Sequence, residues 1–186
     1  MSIESVIQYL ETNQKRFVDE LSQWLSIPSI STDPSHRKDM QHSADWLTAH
    51  LHSIGVADVT AHKTGSPTDP GHPLILAKSL HKPKAARPTV LVYGHHDVQP
   101  SVPNDLWDTP PFEPTRRGSA LFARGAADDK GQVFMYLKVL EAFYRTDTPL
   151  PVDLKLMIEG EEEIGSPNLL PFIKANISEL AADLVM

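Results

Sequence analysis

Three short polar clusters carry imidazoles and carboxylates at spacings that suit metal chemistry. Gly94-His95-His96-Asp97 follows the apolar run Thr89-Val90-Leu91-Val92-Tyr93. Arg124-Gly125-Ala126-Ala127-Asp128-Asp129-Lys130-Gly131 follows Leu121-Phe122-Ala123. Glu159-Gly160-Glu161-Glu162-Glu163 follows Leu154-Lys155-Leu156-Met157-Ile158. Short apolar runs read as buried strands, and α/β proteins gather their ligands where strands end. Imidazole and carboxylate donors converging on one rim suit a divalent ion of the zinc type.

Each cluster taken alone also has a structural explanation. His95 reads as a solvated histidine at a strand end, or as a ligand whose ring is oriented by a partner. Residues two apart in an extended segment share a face. Asp97 therefore lies beside His95 and can accept a hydrogen bond from the ring nitrogen that a metal leaves free. Asp128 precedes a predicted helix, so it can cap that helix or offer two oxygens to two cations. The run Glu161–Glu163 would ordinarily sit on a solvated face. Here it follows a buried strand, where a cation would relieve the repulsion between carboxylates. Adjacent carboxylates can also divide the work, one holding metal and its neighbour taking a proton from water. The other seven histidines (His36, His42, His50, His52, His62, His72 and His81) read as surface residues.

The elements that must position these clusters alternate between helical and extended patterns. Helical periodicity covers residues 3–26, with Ser2 as N-cap and Pro28 as the stop, and residues 36–54, with Gly55 as C-cap. Strands are predicted at Val56–Lys63 and Leu74–Ser79, with a turn over Gly65–Pro73 and a connector over Pro83–Arg87. Thr89–Tyr93 and Val152–Ile158 are apolar enough to be covered on both faces. Residues 98–119 contain five prolines and read as irregular. A helix is predicted over Lys130–Arg145. A shorter one runs through Lys174 with Ser166-Pro167 at its start, and a last strand opens at Asp183–Met186. The alternation implies an α/β fold with a largely parallel sheet flanked by helices.

Composition narrows the function classes. The chain has 186 residues, a formal net charge of -7 and no cysteine. Thiolate metal sites and disulfides are therefore excluded. The acidic balance without a basic stripe speaks against nucleic acid. No apolar run reaches the roughly 18–20 residues that span a membrane. The first residues lack the basic and apolar regions of a secretory leader, so a cytoplasmic enzyme is the expectation.

The segments YGHHDVQP at 93–100, WDTPPFEP at 107–114, RGAADDKGQ at 124–132 and EGEEEIGS at 159–166 resemble one family in order and spacing. It is the co-catalytic zinc peptidase and deacylase family of carnosine dipeptidases, acetylornithine deacetylases and succinyl-diaminopimelate desuccinylases. WLSIPSIS at 24–31 is similar as well, and the QP and WDTPPF text looks most like the dipeptidase branch. The resemblance implies a truncated zinc-exopeptidase-like catalytic domain over residues 1–186. It makes His95 a zinc ligand, Asp97 the carboxylate that orients it, and Asp128 a bridge between two zincs. Alignment on Gly165-Ser166 makes Glu162 the general base and Glu163 a ligand, with Glu161 in a preceding variable position. The peptide between Asp128 and Asp129 is expected to be cis. The implied reaction is hydrolysis of an amide in a dipeptide or short peptide, with two Zn2+ per intact site and Mn2+ or Co2+ as substitutes. Deacylation of N-acyl amino acids is the alternative within the family, and a non-catalytic fragment or binding module the alternative outside it. Family members carry a further acidic ligand, a late histidine ligand, and a lid domain that mediates homodimer contacts. None of these is found here, so the isolated chain is expected to be inactive.

Overall fold

A computed structural model describes residues 2–81 and 87–186. Helices α1 (Ile3–Thr12), α2 (Gln14–Leu25) and α3 (Arg37–Ile54) come first, followed by strands β1 (Asp58–His62), β2 (Leu74–Ser79) and β3 (Thr89–His95). A small hairpin of β4 (Thr115–Arg117) and β5 (Ala120–Phe122) leads to helix α4 (Lys130–Arg145). Strand β6 (Asp153–Glu159), helices α5 (Leu169–Ala175) and α6 (Ile177–Leu180), and strand β7 (Leu184–Val185) complete the order. Among the described residues, no helix is long and apolar enough to cross a membrane.

The main sheet has the order β1-β2-β6-β3-β7. Strands β6, β3 and β7 pair in parallel, whereas β2 pairs antiparallel with both β1 and β6. Four strands thus share one direction and β2 alone is reversed, so the sheet is mixed in its pairing. Side chains alternate between the faces. Ile75, Ala77, Val92, Leu156 and Ile158 enter a core with Trp24, Leu47, Leu51, Leu137 and Leu140 from α2, α3 and α4. Leu74, Leu76, Leu91 and Met157 point the other way, towards α5 and α6. Burial of each Val, Leu, Ile or Met side chain contributes about 1.5–3 kcal/mol, and covering both faces explains the uninterrupted apolar runs.

Several sequence expectations change in physical detail. The helix predicted over 3–26 is two helices, because the Asn13 side chain donates to the Tyr9 carbonyl at 2.8 Å and competes with the backbone. Ser166 does not start a helix. It lies at a φ of 51° and its hydroxyl donates to Glu159 Oε1 at 2.8 Å, so α5 begins only at Leu169. The connector predicted over Pro83–Arg87 falls, Arg87 excepted, outside the described residues.

Where α1, α2, α3 and α4 meet, ionic groups replace apolar packing. Lys138 Nζ donates to Glu20 Oε2 at 2.5 Å, His50 Nε2 at 2.7 Å and Glu141 Oε2 at 2.8 Å. Arg16 and Tyr9 hold the other Glu141 oxygen at 2.7 and 2.8 Å. Glu20, His50 and Glu141 converge as metal ligands would, but the Lys138 ammonium fills their centre. His50 is therefore half-buried, stacked 4.7 Å from the Trp46 ring, and the surface assignment fails for it. It also fails for His72, which is buried, for His62, whose Nε2 is enclosed, and for His81, which contacts Asp153 at 2.8 Å.

This network sets a dependence of stability on pH. Burial, then the Lys138 charge, pushes His50 down to about 4 from its ordinary 6.5. Between those values the unfolded chain binds the proton and the folded chain resists it, so stability falls as pH drops from 6.5 to 4. Burial pushes Glu141 up, but the Arg16, Lys138 and Tyr9 hydrogen bonds outweigh it and hold the carboxyl at about 2, against an ordinary 4.5. A second loss therefore follows as pH falls from 4.5 towards 2. Thermal melts across this range should show both segments, and His50→Gln should shrink the one between 6.5 and 4 while leaving the one below 4.5 in place.

Candidate metal centre

The rim is built from the ends of β3 and β6 and from the loop before α4. His95 is the last residue of β3 and pairs in register with Glu159, the last residue of β6. The Asp128 loop arrives differently from expectation. Strand β5 belongs to the separate hairpin with β4, not to the main sheet, and its residues are not buried. The start of α4, packed beside β3, brings this loop to the rim. The Asp128–Asp129 peptide is cis, as the resemblance implies.

Asp129 locks the loop to β3. Its Oδ2 accepts the His95 backbone N–H at 3.1 Å. Gly94 makes this approach possible: a Cβ there would lie 2.7 Å from Asp129 Oδ2 and 2.6 Å from Val133 Cγ2. Lys130 anchors the same loop from below. Its fully buried Nζ donates to the Trp24 carbonyl at 3.0 Å and the Ile27 carbonyl at 2.8 Å, at the end of α2. The sequence assigned no task to either residue, because only the fold brings α2 and β3 to them.

The His95 ring is held from one side and open on the other. Nδ1 lies 3.1 Å from the Asp97 carbonyl and 3.3 Å from Asp97 Oδ1, so Asp97 orients the ring with both its backbone and its carboxylate. Nε2 faces Asp128 Oδ1 at 3.1 Å and Glu162 Oε2 at 3.8 Å. Ligand atoms of His95, Glu162 and Glu163 all lie within 4.8 Å of one another. The predicted residues His95, Asp97, Asp128, Glu162 and Glu163 therefore come together around the His95 ring. Asp128 is 76% exposed and Glu162 44%, so both carboxylates reach solvent.

Asp97 has a second task that its spacing from His95 did not reveal. It is fully buried, and its two oxygens accept the backbone N–H groups of Glu162 at 3.3 Å and Glu163 at 3.0 Å. One carboxylate thus ties the histidine to the turn that carries both glutamates. Glu161 points elsewhere. It is buried and takes the His72 N–H at 2.9 Å and the Asn168 amide at 3.0 and 3.1 Å, pinning the loop before β2. Its engagement there leaves the two following glutamates for the rim.

The charges attract a cation. Burial pulls His95 down, yet its hydrogen bond to Asp97 and the charges of Asp97, Asp129 and Glu162 lift it to about 9. Burial pushes Asp97 up, and its bonds from His95 and the Glu163 N–H bring it below its ordinary value. The donor set is hard oxygen plus one imidazole nitrogen, which fits a divalent ion. His96, next in sequence, takes no part. Its ring is fully buried with Nε2 donating to the Pro73 carbonyl at 3.0 Å, and burial pushes it down to about 4.

Known proteins resemble this chain in sequence and fold. The model of peptidase family M20/M25/M40 matches residues 91–185, which hold all five rim residues. The chain belongs to this family. It is 34% identical over 178 residues to the Cys-Gly metallodipeptidase DUG1 of Candida albicans, covering 91% of this chain and 36% of that protein. It is 35% identical over 171 residues to the beta-Ala-His dipeptidase of Homo sapiens, covering 88% of this chain and 33% of that one. The crystal structure of human carnosine dipeptidase 1 superposes with a TM-score of 0.91 at 32% identity, over 100% of this chain and 40% of its own. The chain thus spans 33% to 40% of the length of these M20 relatives.

Replacing the buried carboxylate by an amide tests the clamp. In Asp97→Asn one backbone N–H of the glutamate turn must face the amide nitrogen, another donor. Leaving a buried donor unpaired costs about 1–3 kcal/mol, so the urea midpoint should fall by a corresponding amount. An unchanged midpoint would show that the turn does not depend on Asp97.

Proposed function

We propose that the polypeptide carrying this chain hydrolyses the amide bond of dipeptides or short peptides with divalent metal, zinc first, at two positions of the intact site. One observation supports this most: His95, Glu162 and Glu163 offer ligand atoms within 4.8 Å of one another, in a chain whose relatives are named as metallodipeptidases and dipeptidases. In this reading His95, Asp128 and Glu163 would hold the metal. Manganese and cobalt accept the same donors.

A bound divalent cation supplies Lewis acidity, which polarises the scissile carbonyl and acidifies water. The chain's own residues do the rest. Asp97 holds the proton of His95 on Nδ1 and leaves Nε2 as a donor atom. Glu162 has an exposed carboxylate whose nearest described ionic partner is His95 at 3.8 Å. It takes the proton of the attacking water and delivers it to the leaving amine nitrogen. The family's further acidic ligand, late histidine and lid complete the intact enzyme and its homodimer.

Assays of the complete polypeptide separate the possible substrates. Dipeptides should be cleaved, and hydrolysis of only N-acetyl or N-succinyl amino acids would make it a deacylase instead. In that polypeptide Glu162→Ala should keep its metal content and lose turnover, whereas Glu163→Ala should lose metal. The reverse pattern would exchange the two assignments.

A further inference from the structure

We infer that Gln99 is a positioning residue, whose side-chain amide holds the Glu163 carboxylate ready for metal and so separates the tasks of two adjacent glutamates. The inference rests on the metal-centre reading proposed above. Gln99 Nε2 donates to Glu163 Oε2 at 2.7 Å and lies 3.3 Å from the Glu163 carbonyl. Both of those groups are acceptors only, so the nitrogen end of the amide must face them. One contact restrains the side chain and the other the backbone of the same residue.

Gln99 is itself exposed, but the backbone on either side of it is fixed. The preceding Val98 is fully buried, bridges to Ile30, and donates its N–H to the Ser29 carbonyl at 2.9 Å. The Pro100 carbonyl that follows accepts Arg124 Nη2 at 3.0 Å. The amide is therefore delivered from a rigid stretch. Its bond engages Glu163 Oε2, so the second oxygen, Oε1, is the one left for a metal ion. Asp97 orders the backbone of both glutamates alike, so it cannot distinguish them. The side-chain bond from Gln99 does: Glu163 is tethered, as a ligand must be, and Glu162 stays free to carry a proton. Groups that orient a metal ligand in this way commonly contribute 10–100-fold to affinity.

The test uses the complete polypeptide, titrated with Zn2+ in a calorimeter. Gln99→Met keeps the length of the side chain and removes the donor. It should weaken Zn2+ binding about tenfold and leave the melting temperature of the metal-free protein unchanged. The Gln99 side-chain NH2 resonance gives a second readout. It should shift on adding Zn2+ and in Glu163→Ala, but not in Glu162→Ala. If the wild-type chain binds Zn2+ and Gln99→Met binds equally well, or if the resonance responds to Glu162→Ala instead, the inference is wrong and the metal centre stands. If the complete wild-type polypeptide binds no Zn2+, the metal-centre reading itself fails and the inference with it.

Discussion

The rim depends on keeping one fully buried carboxylate ionised. Asp97 has no exposure to water, and a buried charge is tolerated only where hydrogen-bond donors replace its hydration. The donors it finds are the His95 ring and the backbone N–H groups of Glu162 and Glu163. The requirement that makes Asp97 tolerable is thus the one that brings imidazole and glutamates together. Asp129, Gly94 and Lys130 extend the same logic outward by tying the Asp128 loop to β3 and α2. Binding chemistry and local folding share their contacts.

The molecule contains two clusters of similar donor type with opposite outcomes. Glu20, His50 and Glu141 converge between helices, and Lys138 reaches their centre on a long side chain rooted in α4. That cluster is complete, because its cation is covalently part of the protein. His95, Glu162 and Glu163 converge at the sheet edge, where no lysine or arginine makes an ion pair with them among the described residues. Part of the excess negative charge there is met by raising the proton affinity of His95. Donor identity does not separate these cases. What separates them is whether a basic side chain can reach the centre.

The rim lies in a chain that spans 33% to 40% of the length of its relatives. Its edge strand β7 pairs with β3 at Leu184 and Val185, and Asp183 and Met186 add backbone hydrogen bonds to β3 on either side. Leu184, Val185 and Met186 are 54%, 63% and 57% exposed beside the apolar surface formed by β3, α5 and α6. The face bearing α1 to α4 is the better covered of the two, and it supports the histidine, aspartate and lysine contacts from beneath.

What the amino-acid sequence determined alone was mostly local. Apolar runs identified β2, β3 and β6, Gly55 marked the end of α3, and the polar text after each run identified the rim residues. Their number and order also sufficed for the family resemblance. Tertiary structure decided what depends on distant partners. It assigned β5 to a separate hairpin, although its three residues read like those of a core strand, because strand pairing is a contact between segments and not a property of either. It turned His50 inward, because Lys138 and Trp46 lie far away in sequence or one helical turn back. It gave Asp97 its second attachment, 65 and 66 residues downstream. Periodicity records which face of a segment is apolar; which groups meet across that face is settled only when the chain closes on itself.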